Sequence, residues 1–315
     1  MTISIDGTNG ITFPDSSIQN TVGYTGFRNR IINGGMKVAQ RSTSATVTAG
    51  TAVPTSTTGY PCVDRFFIYS TGANVVASQV VGQSSSMNGL SIAGAASVTA
   101  IGVGQRIEAI NCYDLIGSTA TLSVNLSNSL LTTVSWTASY ATTTNTFGTI
   151  GTPTKTQIAT GSFTVNSTMA RYTTQISIPS AATTGIEILF TVGAQISGTF
   201  KIENVQFEKG GVATPFEFVS PVTELLGCQR YYQRYTNIIV SGYGVSGSWV
   251  FAQFVYVVTP RIVPSTISIT NFNNSNSGNA TINIIQIQSF RLYSVITATG
   301  SGYSACDVEV LGMEL

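Results

Sequence analysis

The chain has 315 residues, 14 Lys and Arg against 13 Asp and Glu, no His, and a formal net charge of +1. Only 9% of residues are charged and 43% are hydrophobic, against roughly 25% charged in an ordinary soluble domain. That balance excludes disorder, which needs high net charge and low hydrophobicity, and it removes the basic footprint of a nucleic-acid binder. Residues 1–24 are small, polar and turn-rich, too short for a core. Their opening, Met-Thr-Ile-Ser-Ile-Asp-Gly, has neither the basic nor the apolar stretch of a signal peptide. No apolar run approaches the ~18 residues of a bilayer span, so no membrane insertion is expected. The mean hydropathy of +0.25 then needs another outlet. Burial of apolar surface in a permanent oligomer supplies one.

From residue 25 to 220 apolar residues alternate with polar ones. Leu122, Val124 and Leu126 share one face, with Thr121, Ser123 and Asn125 opposite. Tyr172, Thr174, Ile176 and Ile178 repeat the pattern. So do Ile186, Ile188, Phe190 and Val192, with Glu187 directed outward. Short period-2 runs between Gly, Ser and Asn clusters predict an all-β sandwich. Thr/Ser/Gly-rich loops are predicted near 42–60 and 140–161.

Residues 221–315 change character: they are rich in Tyr, and no Asp or Glu occurs from Leu225 to Cys306. Pro221 to Gly227 predicts one helical turn, capped by Thr223 and stopped by Gly227. Trp249, Phe251, Val255 and Val257 then alternate on one strand face, with Phe254 and Tyr256 on the other. A strand apolar on both faces is expected to be covered on both, by the sandwich or by another subunit. Asn271 to Ala280 predicts a long hairpin loop between a strand through Ile267 and Ile269 and one beginning near Ile282. No repeat of 20–50 residues is present, which argues against a solenoid or propeller. Cys62, Cys112, Cys228 and Cys306 form no CxxC motif. They are expected to be buried, reduced thiols of a chain that folds in a reducing cytosol.

Seven motifs occur in an order that resembles bacteriophage tail-fibre proteins. Gly10-Ile-Thr-Phe-Pro-Asp-Ser-Ser-Ile-Gln19 resembles the FPDGxxQ segment near the start of many fibres. Asn29-Arg-Ile-Ile-Asn-Gly-Gly-Met-Lys-Val-Ala-Gln-Arg41 resembles NRIINGDMRxxQR, and Gly59-Tyr-Pro-Cys-Val-Asp-Arg-Phe66 resembles GYxxDRW. Gln105-Arg-Ile-Glu108 with Asp114-Leu-Ile-Gly117 resembles the QxIE…DLxG region of a jelly-roll of the carbohydrate-binding-module type. Lys201 to Gly210 with Ala213-Thr-Pro-Phe-Glu217 resembles its closing LExGxxATPFE strand. Thr223-Glu-Leu-Leu-Gly-Cys-Gln-Arg-Tyr-Tyr232 resembles the TELxLCQRYY opening of a terminal domain, and Met313-Glu-Leu315 resembles an AEL ending. Gly35 stands where an acidic residue is usual, and Phe66 where Trp is usual. The resemblance implies an all-β homotrimer in three parts. An attachment segment, 1–24, would meet a phage tail or baseplate protein. A jelly-roll β-sandwich of the carbohydrate-binding-module type would span 25–220, and a receptor-binding β-sandwich 221–315. Such a fibre belongs to the virion and assembles in the host cytoplasm.

Without His, triads and zinc sites that use imidazole cannot form. Glycoside hydrolysis needs two carboxylates flanking the bond. Here Asp64, Glu108, Asp114, Glu203, Glu208 and Glu217 all sit inside the structural motifs. No catalytic residue, cofactor or metal is therefore expected, although Asp64 or Glu203 would be the residues to hold a structural Ca²⁺ at a jelly-roll edge. Sugar sites set aromatic faces beside amides and hydroxyls. Tyr243 in Ser241–Ser248 and Tyr303 in Gly300–Ser304 are expected on exposed Gly/Ser loops. Phe272, Asn273 and Asn274 are expected on the long hairpin loop, and Trp249 is a further receptor-binding candidate. Arg230, Arg234, Arg261 and Arg291, in the stretch without carboxylates, would favour anionic groups. The expected function is non-enzymatic adhesion to a host-surface glycan such as lipopolysaccharide or capsule. The alternatives are a tailspike depolymerase and a structural fibre or adaptor bound to another virion protein.

Overall fold

The computed structural model describes residues 4–6, 10–12, 18–19, 27–84 and 86–315. Most of the expected attachment segment, including the larger part of its Phe13–Gln19 motif, lies outside the described residues. Within it, β1 (Ser4–Asp6), β2 (Gly10–Thr12) and β3 (Ile18–Gln19) pair as a small antiparallel sheet.

The middle of the chain is a sandwich of two antiparallel sheets. One has the order β11-β10-β13-β8-β5 and consists of β5 (Phe67–Thr71), β8 (Ala100–Ile107), β10 (Thr133–Ala141), β11 (Lys155–Thr164) and β13 (Ile186–Val192). The other has the order β12-β9-β14-β7-β6-β4, with β4 (Ser44–Val47), β6 (Val75–Val81), β7 (Asn88–Ala93), β9 (Thr119–Asn128), β12 (Ala170–Ser177) and β14 (Thr199–Lys209). The expected alternation holds. Leu122, Val124 and Leu126 on β9 point into the core, as do Ile186, Ile188, Phe190 and Val192 on β13. Each such side chain contributes about 1.5–3 kcal/mol on burial. The predicted loops are shorter than expected, because β4 lies within 42–60 and β11 begins at Lys155. Glu187 does alternate away from the core, but it is buried rather than solvent-facing. Its register partner Arg106 reaches it at 2.8 Å, and Lys155 closes on its other oxygen.

A helix, α1 (Pro221–Gln229), leads out of this sandwich. Ser220, not Thr223, is its N-cap and accepts a hydrogen bond from the Thr223 N–H, with Pro221 in the first turn. Proline fits there because its missing N–H would have had no helical partner. Gly227 does not stop the helix; it lets the helix lie against Ile32, where an added Cβ would come within 3.2 Å.

The C-terminal part is a smaller sandwich. One sheet, ordered β15-β20-β17, consists of β15 (Gln233–Gly244), β17 (Thr266–Ser275) and β20 (Gly300–Leu311). The other, ordered β16-β19-β18, consists of β16 (Trp249–Val255), β18 (Thr281–Ile285) and β19 (Ser289–Val295). Val240, Ile267, Val308 and Val310 of the first sheet meet Val250, Phe290 and Leu292 of the second. The expected hairpin loop is a correction: residues 271–275 continue β17, so Phe272, Asn273 and Asn274 are strand residues. Asn-rich composition misled because the side chains stand on an outer strand with no sheet beyond it.

The last three residues turn back onto the middle sandwich. Glu314 bonds both Arg65 and Arg41. Met313 and Glu314 carbonyls accept from Arg261 at 2.8 and 2.9 Å. The Leu315 carbonyl accepts from Tyr60 Oη at 3.0 Å and from Arg106 at 2.7 Å. Glu108, buried at the end of β8, faces Arg230 at 3.0 Å and Arg261 at 3.8 Å. The two sandwiches are thus joined by a buried polar seam.

Candidate functional site

The sequence places Tyr243 and Tyr303 on loops; the structure places them on β15 and β20, a correction with a clear cause. In β15 and β20 the registers Ser241↔Tyr303, Gly242↔Gly302 and Tyr243↔Ser301 put both tyrosines and both serines on one face. The glycines fall on the other face, toward the second sheet. A Cβ at Gly242 would lie 2.6 Å from Val250 Cγ1, and one at Gly302 would lie 2.4 Å from the Asn276 carbonyl oxygen. The glycines therefore serve close sheet packing, not loop flexibility. Outside, Tyr243 is 74% exposed and Tyr303 37%. With the two serines and glycines they line a shallow depression of about 440 Å³.

The third strand completes this face. Asn273 lies opposite Ala305 and Ser275 opposite Tyr303, so Asn273 shares the tyrosine face. Asn274 pairs with Ser304, one step along, and its amide donates to Asn279 Oδ1 at 2.7 Å. It does not join the tyrosines. Phe272 sits in a β-bulge between Thr270 and Asn273, where Asn271 is left-handed at φ 54°. A matching bulge in β15 places Asn237 at φ 52°. Asp307, on the central strand, holds both bulges, accepting from the Asn237 N–H and from Asn271 Nδ2 at 2.8 Å each. These bonds, Asn271's first, keep the Asp307 carboxyl below its usual range.

Trp249 lies on the opposite side of the small sandwich. The registers Trp249↔Val295, Phe251↔Tyr293 and Gln253↔Arg291 build a second solvent-facing surface. Trp249 and Tyr293 stack at 4.7 Å with an interplanar angle of 21°. Phe251 lies 6.1 Å from Tyr293, and the Arg291 guanidinium sits 5.1 Å from the Phe251 ring centre. Trp249 is 57% exposed, so the single chain supplies only one of the two expected covers of β16. Phe251 and Tyr293 are additions to the candidate residues. Only the strand register brings Tyr293 to Trp249, and the sequence does not print a register.

The four arginines do not act together. Arg230 and Arg261 turn back to Glu108 in the seam, which corrects the expectation of a common anion-facing set. Arg234 lies 3.9 Å from Asp307, and Arg291 donates to Asn283 at 2.6 Å.

The carboxylates are equally committed. Asp64 accepts from the Gln40 backbone and side chain, and Glu203 from the Gln83 and Ser84 N–H groups. Glu208 holds Gln206 and Thr214, Glu217 the Asn29 N–H, and Glu224 the Asn33 N–H. Asp114 pairs with Arg30. Burial pushes the Asp64 and Glu224 carboxyls upward. No group of three or more metal-ligating side chains occurs among the described residues. Glu309 makes no ion pair among them; it lines a second depression of about 590 Å³ between β20 and the 46–61 segment, with Arg41, Thr48 and Tyr60. Sequence reasoning missed this groove, because its walls are more than 240 residues apart along the chain.

No family model matches the chain, and no curated protein matches it. Among solved structures it is similar to the enzymatically active domain of bacteriophage CBA120 tailspike protein 4, with a TM-score of 0.34 and 16% identity. That match covers 58% of this chain and 22% of the tailspike chain. It is also similar to the carbohydrate-binding module TmCBM61, solved with β-1,4-galactotriose, at TM-score 0.35 and 10% identity, over 58% of this chain and all of that one. A family 11 carbohydrate-binding module from Clostridium thermocellum gives TM-score 0.31 and 15% identity, over 48% of this chain and 91% of that one. All three TM-scores lie below 0.5.

Proposed function

We propose that this protein is a non-catalytic, glycan-binding adhesin of the tail-fibre type. The observation that carries the reading is the Tyr243–Tyr303 face. Two exposed phenols stand over serine hydroxyls, on a rigid sheet whose glycines are fixed by packing on the other side. Aromatic rings take the apolar faces of sugars, while Ser241, Ser301 and Asn273 supply hydroxyls and an amide for their OH groups. The commitment of the buried carboxylates to protein donors supports binding without hydrolysis. In this reading residues 1–24 attach to a phage tail or baseplate protein. Residues 25–220 form the jelly-roll and 221–315 the receptor-binding domain. The chain works as a homotrimer in the virion after assembly in the host cytoplasm.

The Trp249–Phe251–Tyr293 surface supports the trimer, since a contiguous aromatic patch of this kind marks a protein contact. Three weak sites on one fibre then act together by avidity. The test is an array of bacterial surface polysaccharides probed with the full chain and with the Tyr243→Ala/Tyr303→Ala double variant. Retention of the parent on a surface glycan and loss of it in the double variant are expected. Equal retention of both overturns the assignment of the site. Release of reducing ends from a bound polysaccharide overturns the non-catalytic reading.

A further inference from the structure

We propose that the groove between the two sandwiches is a second saccharide site, separate from the tyrosine face, which takes a neutral sugar of one or two rings. One wall comes from β4 and the segment that follows it, the other from the end of β20. The volume of about 590 Å³ falls within the roughly 300–1,000 Å³ of small-ligand pockets. Val53 and Leu311, both partly exposed, supply an apolar wall for the C–H face of a ring. The polar groups around it are of both kinds.

Glu309 is the acceptor. Its register partners across the sheet are Arg234 and Ser268, but Arg234 lies toward Asp307 at 3.9 Å. The Glu309 carboxylate is left beside the Tyr232 phenol, with acceptor positions to spare, since a carboxylate offers about four. Arg41 is the fixed cation. Glu314 holds its guanidinium at 3.2 Å, and the ring of Tyr232 lies 3.9 Å beneath it. Thr46 and Thr48 are exposed on β4 and just beyond it, with side-chain hydroxyls ready to donate and accept.

The charge pattern selects the ligand class. An acidic sugar approaching Arg41 meets the Glu309 carboxylate, and a cationic one approaching Glu309 meets Arg41. A neutral polyol satisfies both, with neighbouring hydroxyls donating to Glu309 and accepting from the Thr hydroxyls. The ordering cost is already met in the free protein, because the seam that fixes Arg41 is internal to the chain.

The experiment uses the full chain with methyl-labelled leucine, since Leu311 lines the groove and is partly exposed. Maltose, cellobiose, lactose and N,N′-diacetylchitobiose are the neutral probes and glucuronic acid the charged one, each titrated to about 50 mM, well above millimolar affinity. The expected result is a saturable shift of the Leu311 methyls with at least one neutral disaccharide and none with glucuronic acid. Glu309→Gln and Thr48→Val should each weaken that binding about tenfold. Thr48 is exposed, so its variant reports even if the Glu309 change disturbs the sheet. Tyr243→Ala should leave the shift unchanged, which separates failure of this site from failure of the tyrosine face. Motionless Leu311 methyls with every disaccharide, binding of glucuronic acid in preference to them, or unchanged affinity in both groove variants overturns the proposal.

Discussion

Replacing Glu314 by alanine tests the seam that fixes one sandwich against the other. Arg65 and Glu314 are each 1% exposed, so the variant leaves a guanidinium in the interior without its counter-charge. Arg65 keeps its bond to the Arg106 carbonyl at 2.8 Å and its place 3.4 Å over the Tyr231 ring, but neither is an anion. Removing one partner of a buried pair costs roughly 3–5 kcal/mol, most of it the uncompensated charge. Loss of one ordinary hydrogen bond would cost only about 1 kcal/mol. Urea unfolding followed by tryptophan fluorescence distinguishes the two, because each sandwich carries its own reporter. Trp136 is buried in the middle sandwich and Trp249 lies on the small one. A single transition in the parent should split in Glu314→Ala, with the Trp249 signal changing at lower urea. The double variant Arg65→Met/Glu314→Leu should recover much of the loss, since an apolar pair of similar size needs no counter-charge. Protomer concentration must be held constant, as association shifts apparent stability. A loss of about 1 kcal/mol or less, with coincident transitions, would refute the view that the seam is an electrostatic lock.

Other outcomes follow from the same geometry. Asp307 titrates below its ordinary 3.8 in the folded chain, so its contribution to stability is present above that value and is lost as pH falls through the lowered one. Urea midpoints measured from about pH 5 to about pH 2 should fall less steeply in Asp307→Asn than in the parent; an unchanged slope contradicts the clamp on the two bulges. All four cysteines are free and buried, and burial pushes the Cys62 and Cys112 thiols up to about 11. A disulfide-exchange reagent at neutral pH should find no fast thiol in the folded chain and four in urea, because thiolate is the reactive form. Light scattering should give three times the chain mass of 33.1 kDa, and Phe251→Asp should dissociate the assembly; a monomeric parent refutes the role given to that aromatic surface.

The all-β class was legible because alternation is a local signal: Leu122, Val124 and Leu126 carry it without reference to any other strand. The tyrosines were legible as candidates but not as strand residues. Gly242 and Gly302 read as loop formers, whereas Gly242 makes room for Val250 of the opposite sheet and Gly302 for the Asn276 carbonyl just past β17. Glu187 read as outward, correctly for the period and wrongly for the solvent, since Arg106 and Lys155 cover it. Arg230 and Arg261 read as part of a tip, yet they answer Glu108, which is more than 120 residues earlier. The groove and the Trp249–Tyr293 stack were invisible for one reason: both depend on which strands lie side by side, and pairing between distant segments leaves no periodic trace in either one.

The most direct measurement is a crystal structure of the full chain with an oligosaccharide cut from the surface glycan that retains it. The account predicts an intact oligosaccharide, with a sugar ring against Tyr243 and Tyr303 and its hydroxyls within hydrogen-bond reach of Ser241, Ser301 or Asn273. A sugar found instead only on the outer faces of the middle sandwich, or one cleaved in the crystal, would contradict it.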